Sequence, residues 1–187
     1  MLVNNEGKEL RESELINMEI YTIGHYSHSE AQFMNLLELA QIKMVVDIRA
    51  FPGSRKFPQF SKDVMGDWLA ESGVGYMHIP ELGGRRKTTE PVSPVLNAGW
   101  NNQSFHNYAD YTLSADFQRG VAQLMKIAGE HPTVMCCAER HPARCHRLII
   151  SNWLVAHDWV VKHIIPHEKG TGELVPTNSA NGAPCPS

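Results

Sequence analysis

The segment VMCCAERHPARCHRLII, residues 134–150, gathers Cys136, Cys137, Glu139, Arg144, Cys145, His146 and Arg147 into one short stretch. A cysteine attacks only as its thiolate, and nearby arginines or a helix N-terminus favour that form. Cys137, which ends an apolar run, and Cys145 are therefore candidate nucleophiles, with His146 or His25 as candidate bases. Glu139 and Asp47 add carboxylates for proton transfer. The same residues admit other chemistry. Cys137, Cys145 and His146 are of zinc-ligand type, but each lies in an adjacent pair whose side chains diverge, not in two short clips. No metal is favoured, and no cofactor is identified. The loop also misses the phosphatase spacing of a cysteine, five residues and an arginine: the sixth position after Cys137 is Ala143, and Arg144 follows it. Cysteine as a small packing residue is the plain alternative.

Charge placement adds a second clue. Of nine arginines, all but Arg11 and Arg119 follow an expected strand end: Arg49, Arg55, Arg85, Arg86, Arg140, Arg144 and Arg147. Lysines scatter over helices and tails. A guanidinium is a planar fork suited to phosphate or carboxylate. Arg144 and Arg147 are expected in the first turn of a helix entered at Pro142, where a cation opposes the helix dipole at roughly 0.3–1 kcal/mol each. A bound anion would offset both and accept the free N–H groups there. Arg49, Arg55, Arg144 and Arg147 are the candidate anion holders. A solvated rim of Arg–Asp and Arg–Glu pairs is the competing explanation.

These residues need a scaffold, and the chain supplies an alternation. EIYTI (19–23) reads as a strand, and Ser29 with Gln32 as a capping box opening a helix that carries Phe33, Leu36, Leu37 and Ala40. KMVVDI (43–48) is continuous enough for a strand buried on both faces. Ser61 caps a second helix that stops near Gly73, and GYMHI (75–79) is a third strand. Pro80 to Gln103 lacks periodicity and reads as a lid, with Gly83, Gly84 and Arg85 as a flexible entry. Helical pattern resumes at Phe105 and is clear from Ser114 to Gly129. TVMCC (133–137) is a fourth strand, a helix runs from Pro142 to about His157, and WVVKHII (159–165) is a fifth strand. The expected fold class is α/β: a single three-layer domain with a mostly parallel sheet of about five strands and helices on both faces. Residues 1–18 form a polar extension, 19–165 the domain, and 166–187 a flexible tail rich in Pro, Gly, Ser and Asn. In such sheets ligands bind beyond the C-terminal strand ends, where most of the arginines fall.

Composition sets the outer limits. At 187 residues, 42% hydrophobic and 20% charged, the chain fits one ordinary globular domain. A net charge of −3 argues against a protein that coats DNA through a basic surplus. No apolar run is long enough to span a membrane. The polar start MLVNNEGKELRESELINME has no signal-like apolar stretch, and clustered cysteines fit reduced thiols, so a cytoplasmic location is expected.

The order Thr22-Ile23-Gly24-His25, Val46-Asp47-Ile48-Arg49, Pro52 to Arg55, Phe60-Ser61, Leu82-Gly83-Gly84, Phe105, Tyr108-Ala109, Tyr111, Cys137-Ala138-Glu139 and Cys145-His146-Arg147 resembles domain of unknown function family 488 over roughly residues 20–165. The resemblance implies a bacterial-type, cytoplasmic, single-domain α/β protein. It marks Gly24, His25, Asp47, Arg49, Ser54, Gly83, Gly84, Cys137, Glu139, Cys145, His146 and Arg147 as motif positions, which brings Gly24 and Ser54 into the anion-binding set. A strand ending Asp-x-Arg followed later by strand, cysteine, loop and helix is also similar to rhodanese-like domains. The leading expectation is an enzyme or binding domain for a small phosphorylated or otherwise anionic, nucleotide-like ligand. Asp47, Glu139, His25 and His146 are its acid–base candidates. The alternatives are a nucleic-acid-binding or nucleic-acid-processing module, with Arg85, Arg86 and Lys87 on phosphates and Phe57, Phe60 or Trp100 on bases, and a non-catalytic protein-interaction domain. Oligomeric state is not readable from these features.

Overall fold

A computed structural model describes residues 18–87 and 99–177. Its sheet has six strands: β1 (Glu19–Gly24), β2 (Met44–Asp47), β3 (Gly75–His78), β4 (Thr133–Cys137), β5 (Val160–Pro166) and β6 (Gly172–Pro176). The helices are α1 (Glu30–Glu38), α2 (Lys62–Glu71), α3 (Gln103–Tyr111), α4 (Ala115–Glu130) and α5 (Arg147–Ala156). The strand order is β3-β2-β4-β1-β5-β6, with every pair parallel except β5 and β6. The fold class expected from the alternation is what forms, with one more strand than expected.

That extra strand corrects the tail. Residues 172–176 pair antiparallel with β5, Lys162 opposite Pro176 and Ile165 opposite Glu173. A polar composition hid it, because an edge strand needs only one bonded partner and buries little side chain. Residues 178–187, and with them Cys185, lie outside the described residues, as do 1–17 and 88–98.

Local rules open the helices as read. Ser29 Oγ accepts from Gln32 N–H and Gln32 Oε1 accepts from Ser29 N–H, a capping box that stabilises α1 by about 1 kcal/mol. Ser61 precedes α2, but its hydroxyl bonds the Ser54 backbone instead of a helix N–H. Gly129 sits inside α4, which ends one residue later.

Two apolar clusters flank the sheet. One holds Phe33, Leu36 and Leu37 of α1 with Met65, Trp68 and Leu69 of α2. The other holds Tyr108 of α3, Phe117, Val121 and Leu124 of α4, and Ile149, Ile150 and Leu154 of α5. Adjacent strand residues face opposite sides, so Cys136 joins the first cluster and Cys137 the second. Right-handed crossovers account for this division. Chain steps toward β3 carry α1 and α2 over one face, and steps back toward β5 carry α3, α4 and α5 over the other. β4 thus stands between β2 and β1, whose exit loops turn to the face opposite its own. Crevices open at such reversals.

Candidate functional site

The cleft beside the end of β4 has a volume of about 410 Å³. Its wall includes Arg49, Ala50, Phe51 and Gly53 after β2, Gly84 and Arg85, Ser104, Phe105 and Tyr108 of α3, and Cys137, Ala138, Glu139, Arg144, Cys145 and His146. The register explains the convergence: Gly24 lies beside Cys137, and Asp47 beside Cys136.

The loop after Cys137 does not lead straight into a helix. Pro142–Arg144 form a 3-10 turn in which the Ala143 N–H donates to His141 Nδ1, and Cys145 is extended at φ −135°, ψ 148°. Helix α5 starts only at Arg147. This corrects the expected helix start at Pro142, and it has a chemical consequence. The extended Cys145 lays its sulfur 2.8 Å from the Cys137 sulfur, both cysteines being free. His146 Nδ1 lies 3.4 Å from Cys145 Sγ, while His146 Nε2 lies 2.9 Å from the Ile48 carbonyl. A carbonyl only accepts, so the proton is on Nε2 and Nδ1 presents a lone pair to the Cys145 thiol. Burial pushes the His146 imidazole down to about 4, so it is neutral near pH 7. Burial also pushes both thiols up. For Cys137 the hydrogen bond from Cys145 and the Arg147 charge outweigh that and lower it, whereas Cys145, the donor, is raised.

Two glycines make room for this arrangement. A Cβ on Gly24 would fall 1.7 Å from the Glu139 carbonyl oxygen, and one on Gly84 would fall 2.9 Å from His146 Nδ1. Gly24 therefore serves the site by close backbone approach, and Gly84 by lying against the imidazole.

Arg147 is wholly buried. One terminal nitrogen donates to the Glu139 and Arg140 carbonyls at 2.9 and 3.0 Å, and the other to Thr22 Oγ1 at 3.4 Å. Those carbonyls answer the helix-dipole cost that an anion was expected to answer. Arg147 is not on the cleft wall; it braces the loop that carries Glu139 and Arg144. Thr22 Oγ1 continues to His163 Nδ1 at 2.6 Å, and His163 Nε2 to Thr177 Oγ1 at 2.7 Å. Sequence reasoning missed this chain, although a lone histidine in the apolar run VVKHII was its signal.

The Asp47–Arg49 pair is closed on itself. Arg49 Nε and one terminal nitrogen grip the Asp47 carboxylate at 2.9 and 2.7 Å, and that terminal nitrogen also donates to the Phe60 carbonyl. The Arg49 backbone N–H and the Tyr76 hydroxyl donate to Asp47 as well. Asp47 is fully buried. With its lone pairs taken, it holds Arg49 and is not a free acid or base, which corrects its candidate role. His25 Nδ1 lies 2.9 Å from the Tyr26 carbonyl, so Nε2 accepts from the other Arg49 terminal nitrogen at 3.2 Å. Its ring stacks on Phe60 at 4.5 Å, and burial pushes its pKa down to about 4. His25 orients Arg49 and does not line the cleft.

The remaining candidates separate by partner. Ser54 Oγ accepts from Phe57 N–H and shapes its loop, and Arg55 is exposed away from the cleft wall. Residues 80–86 are fastened instead of forming a loose entry. Tyr108 and Tyr111 hydroxyls donate to Leu82 and Glu81 carbonyls, and the Arg86 guanidinium donates to carbonyls of Gly83, Pro80 and Glu81. Only Gly84 and Arg85 of that segment reach the cleft, Arg85 at φ +60°, a left-handed backbone uncommon for a residue other than glycine. Phe60, a proposed base-stacking residue, is fully buried. Among the described residues, no group of three or more His, Cys, Asp or Glu has a metal-holding arrangement, and Cys137, Cys145 and His146 are included in that statement. No helix there is long and apolar enough to cross a membrane.

Fold and site together define a three-layer α/β protein with a thiol pair in the crevice at its topological switch. The chain belongs to the family described as domain of unknown function DUF488, whose model matches residues 29–154. No curated protein and no solved structure matches it.

Proposed function

We propose that the cleft binds a small phosphorylated or otherwise anionic ligand and holds it against the Cys137 sulfur. The carrying observation is the charge of the wall: Arg85 and Arg144, with Arg49 already paired to Asp47, line it beside a single carboxylate, Glu139. A volume of about 410 Å³ is in the range of small-molecule sites. Arg49 is already engaged by Asp47, Phe60 and His25, so it fixes one side of the wall and leaves Arg85 and Arg144 to meet the ligand. Arg85 and Arg144 are exposed and free to close on the ligand. Cys137 supplies a nucleophile at the cleft floor, with Cys145 and His146 next to it to move a proton.

Calorimetric titration with inorganic phosphate, sulfate and a nucleoside monophosphate tests this. Charge-assisted hydrogen bonds are worth about 1.5–3 kcal/mol. Arg85→Gln and Arg144→Gln are each expected to weaken binding by roughly tenfold or more, and added salt to weaken it further. Affinity unchanged in both variants would remove the anion from the proposal.

A further inference from the structure

The separation of the two sulfurs asks for more than anion binding. We propose that Cys137 and Cys145 are a dithiol–disulfide pair that reduces a low-molecular-weight disulfide bearing carboxylates, Cys137 attacking and Cys145 resolving. The substrate class rests on the anion-binding reading of the cleft; the thiol pair stands on its own geometry.

Four observations carry it. The sulfurs are 2.8 Å apart, so about 0.8 Å of approach brings them to a disulfide bond length of roughly 2.05 Å. Both cysteines are nearly buried members of the cluster that holds Tyr108 and Ile149, and they lie at its margin, where they also line the cleft. Cys145 is held extended between a 3-10 turn and α5, with its side chain turned toward Cys137. His146 is anchored through Nε2, which leaves Nδ1 as an acceptor 3.4 Å from Cys145 Sγ. Each group of the resolving step is therefore in place before any ligand enters.

Reduction of the substrate balances with the protein dithiol as the only reductant. The Cys137 thiolate attacks one substrate sulfur: a protein–substrate S–S bond forms, the substrate S–S bond breaks, and the first substrate thiolate leaves and takes a proton from water. Cys145 Sγ attacks Cys137 Sγ as its proton passes to His146 Nδ1: the intramolecular S–S bond forms, the Cys137–substrate S–S bond breaks, and the second substrate thiolate leaves with the proton from His146. Two electrons pass from the protein dithiol to the substrate, which departs as two thiols. A low-molecular-weight dithiol reverses the sequence and restores the pair.

The assignment of roles follows from the hydrogen bond. Cys145 donates to Cys137, so the charge resides on Cys137, near the buried Arg147 guanidinium. The thiol that keeps its proton is the one with a base beside it.

The test uses the full chain carrying Cys185→Ser, fully reduced, with oxidised glutathione as the anionic disulfide, 2-hydroxyethyl disulfide as the uncharged one, and hydrogen peroxide. Peptide mapping is expected to find a Cys137–Cys145 link after oxidised glutathione, with two glutathione released per protein. Cys145→Ser should stop at a glutathione adduct on Cys137 with one released, and Cys137→Ser should give no link. His146→Gln should slow release of the second glutathione at least tenfold while leaving the first unchanged. Oxidised glutathione should react at least tenfold faster than the uncharged disulfide. No Cys137–Cys145 link with any of the three reagents overturns the thiol pair, and a link with peroxide alone overturns the substrate class. Equal rates for both disulfides overturn the anion reading and leave the pair intact. Phosphate binding retained by Cys145→Ser, measured separately, shows that the anion reading survives if the pair fails. Should a cysteine variant not fold, the released-thiol stoichiometry and peptide map of the parent chain decide alone.

Discussion

Two clusters occupy the same sheet edge one strand apart, and they differ in how fully their polar groups are engaged. At the end of β2, Asp47 receives the Arg49 side chain, the Arg49 backbone N–H and the Tyr76 hydroxyl, and Arg49 also reaches Phe60 and His25. At the end of β4, Cys145 shares one proton between a sulfur and an imidazole, and both cysteines, though nearly buried, line the cleft. Both clusters look chemical in sequence. Partner saturation separates them: a group whose bonds are all made inside the fold serves the fold, and one left with a single movable proton at a cleft can serve a reaction.

Asp47→Ala tests the first half of that contrast most severely. It leaves the Arg49 guanidinium buried without its counter-charge, and a loss of roughly 3–5 kcal/mol is expected in urea unfolding. Gly24→Ala comes next. Its Cβ would overlap the Glu139 carbonyl, so the loop after Cys137 must shift, at about 3 kcal/mol. Nuclear magnetic resonance of Cys137 and Cys145 should report the displacement.

The pH profile joins both clusters, because each contains a buried neutral histidine. His25, His146 and His163 are each lowered from 6.5 to about 4, mainly by burial. A histidine whose folded pKa is depressed contributes stability that is fully present above about pH 6.5 and is lost as pH falls toward 4, because only the unfolded chain takes up the proton in that window. Each such site changes stability by on the order of 3 kcal/mol across it. Stability measured from pH 7 to pH 4 should therefore fall steeply. A flat profile would break the assignment of neutral imidazoles.

The smallest effect on stability is expected for Cys145→Ala, about 1 kcal/mol, because it removes a single sulfur and leaves the Arg147 charge beside Cys137. A large loss there would move the thiol pair into the same structural class as Asp47 and Arg49.

Much of the architecture was legible because it follows from local pattern. The run MVVD reads as a strand buried on both faces, Ser29 with Gln32 reads as a capping box, and the doublet Cys136-Cys137 must face opposite sides of β4. The β6 strand was not legible, since GELVP has weak strand character and exists through its pairing with β5. The candidate site was legible in outline: Arg49, Gly84, Arg85, Cys137, Glu139, Arg144, Cys145 and His146 do border one cleft. Roles were not. Arg147 and Arg144 are both cations three residues apart, yet one is wholly buried on carbonyls and the other exposed at the cleft.

By itself, then, the order of residues determined which face each strand residue takes, the capping box that opens α1, and which chemical groups reach the C-terminal edge, because periodicity and spacing act over a few residues. Tertiary structure alone decided that Cys145 leaves the helix to meet Cys137, that Asp47 is used up by Arg49 and Tyr76, and that His146 is oriented by Ile48. Arg49 apart, which lies two residues from Asp47, those outcomes depend on partners 8 to 98 residues away along the chain, whose meeting is set by strand order and close backbone approach.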